Sequence, residues 1–548
     1  MIKINLNLRY LPLALLFLSP LSLGAEPVDA KAAQAGPTGG EPVAAPAPES
    51  PSVVAAPADL FRQHCAECHG KDRLGGMGPA LLPENLGRLK KADAADVIAN
   101  SRPAVQMPKF ADKLNPEQIQ SLVDFIYTPL ASIPQWGMAE ITASRQILVP
   151  PEKLHPKPVH SADPMNMFVV VELGDHHATI LDGDKFEPIH RFKTRFALHG
   201  GPKYSPDGRY VYFASRDGWV SKFDMYSLQL VAETRAGINT RNLAVSDDGR
   251  YLMAANYLPH TLTLLDAGDL SPIKVIEVKG ESGPSSRVSA VYTADPRHSF
   301  VVALKDIPEV WEINYQDHPP KGFGTWVHDF NEDSGENTEV EPFPIRKIKV
   351  SDYLDDFLFS PDYSTLIGSS RQGGIQVVDL DIGRVTHKLK LPGMPHLGSG
   401  ITWNYKGGRV MATSNLKEST ISIIDMRKWK VIKELKTLGP GFFMRSHENS
   451  PYAWADVSLG TSKDAVHIID KQKLKIVETL RPEPGKTAAH VEFDKDGRHA
   501  LLSIWEMDGA VVIYDANSLK EVMRLPMVKP SGKYNVHNKI TRSEGTSH

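Results

Sequence analysis

The chain has 548 residues, 62 Lys and Arg against 65 Asp and Glu, and a formal net charge of −3. That length allows more than one domain, and the balanced charge excludes a nucleic-acid binder that works through a basic surplus. Plentiful glycine (41) and proline (42) fit a turn-rich, largely β fold.

Residues 1–25 read as a secretory signal peptide: Lys3 and Arg9 precede any acidic residue and lead into the apolar stretch LPLALLFLSPLSLGA. Pro12 and Pro20 break that stretch, and a membrane span needs roughly 20 apolar residues. An uncleaved anchor is the alternative, because Leu23 stands where a small residue is preferred. Residues 26–58 are almost all Ala, Pro, Gly, Glu and Val, too poor in large apolar side chains to offset the entropy of ordering, and are expected to be a flexible tether. No other long apolar run occurs. The expectation is an exported, periplasmic protein without stable membrane insertion.

Both cysteines fall in CAECHG, residues 65–70. Cys65, Cys68 and His69 form C-x-x-C-H, the spacing of covalent c-type haem attachment. One helical turn brings two thiols to the haem vinyl groups and the next imidazole beneath the iron; a redox dithiol is the bland alternative. DLFRQHCAECHG reads as a helix, GGMGPALLPENLG as a loop over a haem edge, and Ile119, Leu122, Phe125 and Ile126 mark an amphipathic helix. Met107, in the loop before that helix, is the expected sixth ligand, with His64 and Met77 as rivals. Residues 59–135 are therefore expected to be a small all-α class I cytochrome c domain.

From residue 136 to 548 the texture is repetitive. Turns such as SPDGRY (205–210), SDDGRY (246–251) and DKDGRH (494–499) each precede a short β-rich run. Eight endings follow, TILDGD, SKFDMY, TLLDAG, WEINYQ, QVVDLD, SIIDMR, HIIDKQ and VIYDAN, at a period of about 40–50 residues. Strand, D-G turn, strand, short turn, strand and a second D-containing turn is the pattern of a propeller blade. The expectation is an all-β eight-bladed β-propeller, or seven blades should the WEINYQ copy fail. The polar insert beginning at Asp317 is expected between blades.

The two parts together resemble the cytochrome cd1 family, the nitrite reductases and their relatives in haem d1 biogenesis. WGM (136–138), FALHGGPKYSPDGRY (196–210), MPHLGSG (394–400), LLSIW (501–505) and PSGKYNVHNK (530–539) carry the resemblance. It implies that the axial mouth of the propeller holds haem d1 and that His199 supplies the proximal iron ligand. It also implies that a nitrite reductase needs two distal histidines. At their places stand Lys305, Asp306 and Ile307 in one loop and Asp355 in another. The pattern is closer to the family's biosynthetic branch, which oxidises a propionate of dihydro-haem d1 to an acrylate and passes electrons to haem c. A nitrite reductase with relocated distal groups and a non-catalytic haem d1 carrier are the competing readings. The partners implied are the dihydro-haem d1 tetrapyrrole, a cd1 nitrite reductase as recipient and a soluble electron acceptor.

His396 in PGMPHLGSG and His490 in KTAAHVEF stand, like His199, at the entrance of a blade's inner strand, which points all three toward the axis. Histidine suits general acid–base work near neutral pH, so His396 and His490 are the expected pair, with Tyr534 assisting. Binding a propionate is the alternative role for each. Arg195, Arg241 and Arg445 lie in comparable entrance segments and suit the carboxylates of the macrocycle, an ordinary ion pair being as good a reading. Trp505 is expected to stack on the ring or to fill the core.

Overall fold

The computed structural model describes residues 56–541, apart from 77, 88, 102–106, 282, 321–322, 324–340 and 371–372. Residues 1–25, read as a signal peptide, nearly all of the expected tether, Met77 and the last seven residues lie outside the described residues. No helix among those described is long and apolar enough to cross a membrane.

Helices Pro57–His64, Ala66–His69, Pro83–Leu86, Lys91–Asn100 and Pro116–Ile126 form the first domain. The last is nucleated by a capping box, in which Asn115 Oδ1 accepts from Gln118 N–H and Gln118 Oε1 from Asn115 N–H. Its Ile119, Leu122 and Ile126 face Leu60 and Phe61 of the first helix. Phe125 of that stripe is only partly buried.

Eight antiparallel sheets follow. Seven have four strands; blade 2 gains a fifth because Gln146–Ile147 pairs with its outer strand, Gln229–Arg235. The inner strands of blades 2 to 8 are Lys203–Tyr204, Asn239–Val245, Val288–Ala294, Asp356–Phe359, Ile401–Tyr405, Met444–Ser446 and Ala488–Phe493. Blade 1 takes its inner strand, Pro530–Asn535, from the far end of the chain, paired with Phe168–Glu172. The inner strand of blade 3 is buried except for Arg241, whereas the outer strand of blade 6, Lys430–Lys436, is exposed except for Leu435.

Each pair of neighbouring blades shares its own apolar cluster. Side chains alternate along a strand, so consecutive residues serve opposite neighbours. Val302 packs toward blade 3 and Val301 toward blade 5; Val169 packs toward blade 2, Phe168 and Val170 toward blade 8. Burial on both faces explains why runs such as VYFAS and VVALK are continuously apolar.

All eight predicted endings close the third strand of a blade, WEINYQ included (Glu309–Asn314), so the ring has eight blades. Their acidic residues have a mechanical role. The carboxylates of Asp182, Asp266, Asp379, Asp425, Asp470 and Asp515 each accept backbone N–H groups two and three residues on, the Asx turn that sends the chain into the outer strand. The insert does not lie between blades as expected. It interrupts blade 4, because its flanking strands Glu309–Asn314 and Ile345–Lys349 pair with each other. A turn between adjacent strands tolerates extra length at small entropic cost.

Ending the chain at Lys529 removes the inner strand of blade 1 and opens the ring. The expected outcome, read by circular dichroism on heating, is loss of the cooperative transition, a cost on the scale of the roughly 5–15 kcal/mol that holds a domain folded. A truncated chain melting at the parent temperature contradicts this closure.

Candidate functional site

Helix Pro57–His64 delivers the chain directly into the turn Ala66–His69, with Cys65 and Cys68 half-buried and not bonded to each other. His69 Nδ1 lies 2.8 Å from the carbonyl oxygen of Pro79. A carbonyl only accepts, so Nδ1 carries the proton and Nε2 keeps the lone pair that a metal needs. Burial lowers the His69 pKa and keeps the ring neutral. A Cβ at Gly78 would stand 2.7 Å from the imidazole, so glycine lets the loop close on it. Cys65 and Met107 pack against one apolar cluster with Leu60, Phe61 and Phe110, and the Ser101 hydroxyl donates to the Met107 carbonyl at 2.5 Å. The rival His64 turns its ring edge-on to Phe110 instead. This donor set fits a covalent c-type haem.

In the propeller, side chains at one end of the inner strands touch from blade to blade around the axis. The ring of Tyr534 (blade 1) lies against Gly201, where a Cβ would come within 2.9 Å of it, two residues past His199 in the loop entering blade 2. His199 Nε2 is 2.8 Å from Arg241 Nη1 of blade 3, and Arg241 Nε donates to the Ser289 carbonyl of blade 4 at 3.0 Å. The Tyr292 hydroxyl of blade 4 donates to Asp356 Oδ1 of blade 5 at 2.9 Å. Asp356 Oδ2 is 4.0 Å from His396 Nε2 at the entrance of blade 6. From there the contacts are aromatic: His396–Phe442 at 4.2 Å between centroids, Phe442–Phe443 at 4.5 Å, Phe443–His490 at 4.7 Å and His490–Tyr534 at 5.1 Å. The circuit thus joins His199, His396, His490 and Tyr534. One detail departs from the expected equivalence. His199 and His396 precede their strands, whereas His490 lies inside Ala488–Phe493, at a bulge where the pairing register skips it.

The protonation of each imidazole follows from its partners. His199 Nδ1 sits 2.7 Å from the Arg241 carbonyl, so Nε2 is the acceptor, met also by Arg216 Nη2 at 3.0 Å. His396 Nδ1 is 2.8 Å from the Phe442 carbonyl, which leaves its Nε2 as a base beside Asp356. Burial lowers the pKa of His396; burial, with Lys533 and Arg445 next in order, lowers that of His490 strongly. Burial pushes Tyr534 up to about 12, so its hydroxyl stays protonated. Trp505 is half-buried, and its buried Nε1–H makes no hydrogen bond. The His199 imidazole with its arginine neighbours and the aromatic rings of Phe442 and Phe443 on the same circuit fit an iron macrocycle with acidic side chains.

Residues 162–339 and 326–539 match the family described as Cytochrome D1 heme domain, and residues 52–126 match Cytochrome C oxidase, cbb3-type, subunit III. The chain belongs to the cytochrome D1 heme domain family. A dihydro-heme d1 dehydrogenase of Pseudomonas aeruginosa is 57% identical over 490 residues, covering 89% of this chain and 95% of that one. The solved structure of dihydro-heme d1 dehydrogenase NirN in complex with DHE matches with a TM-score of 0.82 at 56% identity, covering 88% of this chain and 100% of that one. A nitrite reductase of Stutzerimonas stutzeri is 25% identical, covering 87% and 92% of the two chains.

Within this cytochrome D1 heme domain, the loops where a nitrite reductase is expected to hold its distal histidines are joined by an ion pair, Lys305 Nζ–Asp355 Oδ1 at 2.5 Å. Asp306 is held by Arg287 Nη2 at 2.5 Å and Nε at 2.9 Å. Of the three predicted arginines, Arg241 contacts His199. Arg195 pairs with Glu233 and lies 3.8 Å over Trp219, on strands of blade 2 remote from the inner one. Arg445 is buried, with Nε 3.6 Å from Glu492 Oε2.

Arg216, Asp356, Phe442 and Phe443 were not singled out from sequence. Phe442 and Phe443 had a signal, because they enter blade 7 as His199 and His396 enter theirs. Arg216 had none, since it lies on a turn between second and third strands.

The cytochrome domain docks beside His199. Ala80 and Leu82 pack on Ile238 and Leu258, Asn85 Nδ2 donates to the carbonyls of Arg216 and Ile238 at 3.4 Å each, and Arg235 donates to the Leu74 carbonyl. The segment from Pro79 into helix Pro83–Leu86 thus holds both the carbonyl partner of His69 and the Asn85 contact to the blade-2 turn carrying Arg216.

Met107→Ala is expected to lower the reduction potential of haem c and to abolish the sulfur-to-iron charge-transfer band, since methionine ligation raises the potential. An unchanged spectrum assigns the sixth position to His64 or Met77.

Proposed function

We propose that this chain is a periplasmic oxidoreductase that dehydrogenates dihydro-haem d1, turning one propionate of the macrocycle into an acrylate. The observation that carries the reading is the closed circuit of His199, His396, His490 and Tyr534, in a chain 57% identical to a dihydro-heme d1 dehydrogenase. The change –CH2–CH2–COO⁻ to –CH=CH–COO⁻ releases two protons and two electrons, so a site for it needs a grip, two proton acceptors and an electron exit.

His199 Nε2 grips the substrate through its metal, and the Arg216 and Arg241 guanidiniums beside it turn to the substrate's carboxylates. His396 accepts a proton at Nε2, and the carboxylate of Asp356 at 4.0 Å stabilises the imidazolium that forms. His490 serves the second proton. Tyr534 orients the reacting side chain with its hydroxyl hydrogen. Cys65, Cys68 and His69 would hold haem c, which would supply one-electron transfer, and docking of that domain at Arg216 would keep the exit short. The partners would be a soluble electron acceptor and a cd1 nitrite reductase that takes the product. The signal-like residues 1–25 support export, and the Lys305–Asp355 pair speaks against nitrite reduction at this site.

His396→Gln and His490→Gln are each expected to slow conversion of dihydro-haem d1 by about a hundredfold or more, while the optical shift on tetrapyrrole binding persists. Conversion at the parent rate in both variants rejects the acid–base pair; binding without conversion in the parent makes the protein a carrier, and rapid nitrite turnover makes it a reductase.

Burial lowers both histidine pKa values below the free value of 6.5, so the neutral, proton-accepting form persists on the acid side. The acid limb of the rate profile is expected below pH 6.5. By linkage, the unfolded chain binds protons before the folded one as pH falls through 6.5, so fold stability decreases there. An acid limb above 6.5 contradicts this burial.

A further inference from the structure

His490 is the one member of the circuit whose backbone is in a costly conformation. Its φ is +54°, in the left-handed region that a residue with a Cβ enters at a cost of order 1–3 kcal/mol. The bulge there is what turns its ring to the axis, between Phe443 and Tyr534. Such a conformation persists only where the surroundings over-determine it, and here two buried polar side chains do so from both sides of the residue.

On the amino side, the His490 N–H donates to Asp456 Oδ2 at 3.2 Å. The same carboxylate accepts the N–H of Phe442 at 2.8 Å and of Phe443 at 3.2 Å, and the Ser458 hydroxyl at 3.1 Å. On the carboxyl side, the fully buried Lys533 Nζ donates to the His490 carbonyl and, at 2.7 Å, to Ser503 Oγ. The Lys533 backbone N–H also faces His490 Nδ1 at 3.5 Å. Neither Asp456 nor Lys533 belongs to the circuit itself.

The geometry points to Lys533 and Asp456 as positioning residues that clamp the peptide of His490 in its left-handed bulge, and so fix the imidazole where it meets the substrate. Asp456 extends the clamp to His396, because the Phe442 residue whose N–H it binds offers its carbonyl to His396 Nδ1. The clamp deepens the dehydrogenase reading and rests on it for the role of His490.

The groups facing His490 are Lys533 and Tyr534 on the closing strand, Arg445 on the inner strand of blade 7, Asp456 on its second strand, Lys539 on the carboxyl-terminal helix and Glu492 on its own strand. Burial first, and the neighbouring Lys533, Arg445 and Lys539 after it, lower the His490 pKa.

The test uses the full-length, haem c-loaded protein with [13Cε1]-histidine, His490 being assigned by its loss in His490→Gln. In the parent, the His490 signal is expected to stay at its neutral position well below pH 6.5. In Lys533→Met it titrates closer to 6.5, the acid limb of conversion moves up with it, and kcat falls between about tenfold and a hundredfold, the cost of a slightly misplaced group. KM and tetrapyrrole binding stay within about twofold of the parent. Asp456→Asn preserves volume and is expected to lower kcat alike and to broaden the His490 signal as the bulge loses its single conformer. A His490 titration and kcat identical to the parent in either folded variant overturn the clamp. Failure of the parent to convert dihydro-haem d1 sinks the dehydrogenase reading alone, and the titration still decides the clamp.

Discussion

Pairing of Pro530–Asn535 with Phe168–Glu172 closes the ring of blades and, in the same step, carries Lys533 and Tyr534 to the axis. A blade buries neither face by itself; its apolar surface is satisfied only between two neighbours. With eight inter-blade clusters and eight blades, the ring has no exposed blade face once the last strand has returned. The site depends on the same closure, because the circuit of contacts runs through Tyr534 and passes from there to Gly201 and His490.

That closure explains how charge is tolerated so close to the core. Asp356, Asp456, Glu492, Arg445 and Lys533 are all buried, and each is bound by hydrogen bonds or an opposite charge that arrives on another blade. Removing one partner of such a set leaves an uncompensated charge and is strongly destabilising. The architecture therefore rigidifies its polar groups without a rigid local segment. His199 and His396 reach the axis from loops, but each ring is anchored by a carbonyl on the next blade, Arg241 and Phe442 respectively. Neutral imidazoles with a defined tautomer follow from those anchors and from burial.

The two domains are joined where the loop that presents Pro79 to His69 also packs, through Ala80 and Leu82, on blade 3 beside His199. A lysine–aspartate pair stands on two loops of the ring where a nitrite reductase is expected to keep histidines.

Much of this was legible in the chain itself. C-x-x-C-H, eight similar endings, seven of them with an Asp, and continuous apolar runs are local patterns, set by bond geometry, by Asx turns and by strands buried on both faces, so they survive in a linear reading. The approximate position of His199, His396 and His490 followed from their place in the repeat, and that of Tyr534 from the closing segment and the family resemblance. Other features came from pairing between distant segments. The insert turned out to lie inside blade 4, Arg195 and Arg445 to be ion-paired to Glu233 and Glu492, and Arg216 to touch His199 across a turn with no signature. The sequence by itself determined the repeat, the haem attachment and which residue types face the axis. Only the tertiary structure decided which charges neutralise one another there, because those partners lie up to hundreds of residues apart and meet solely through closure of the ring.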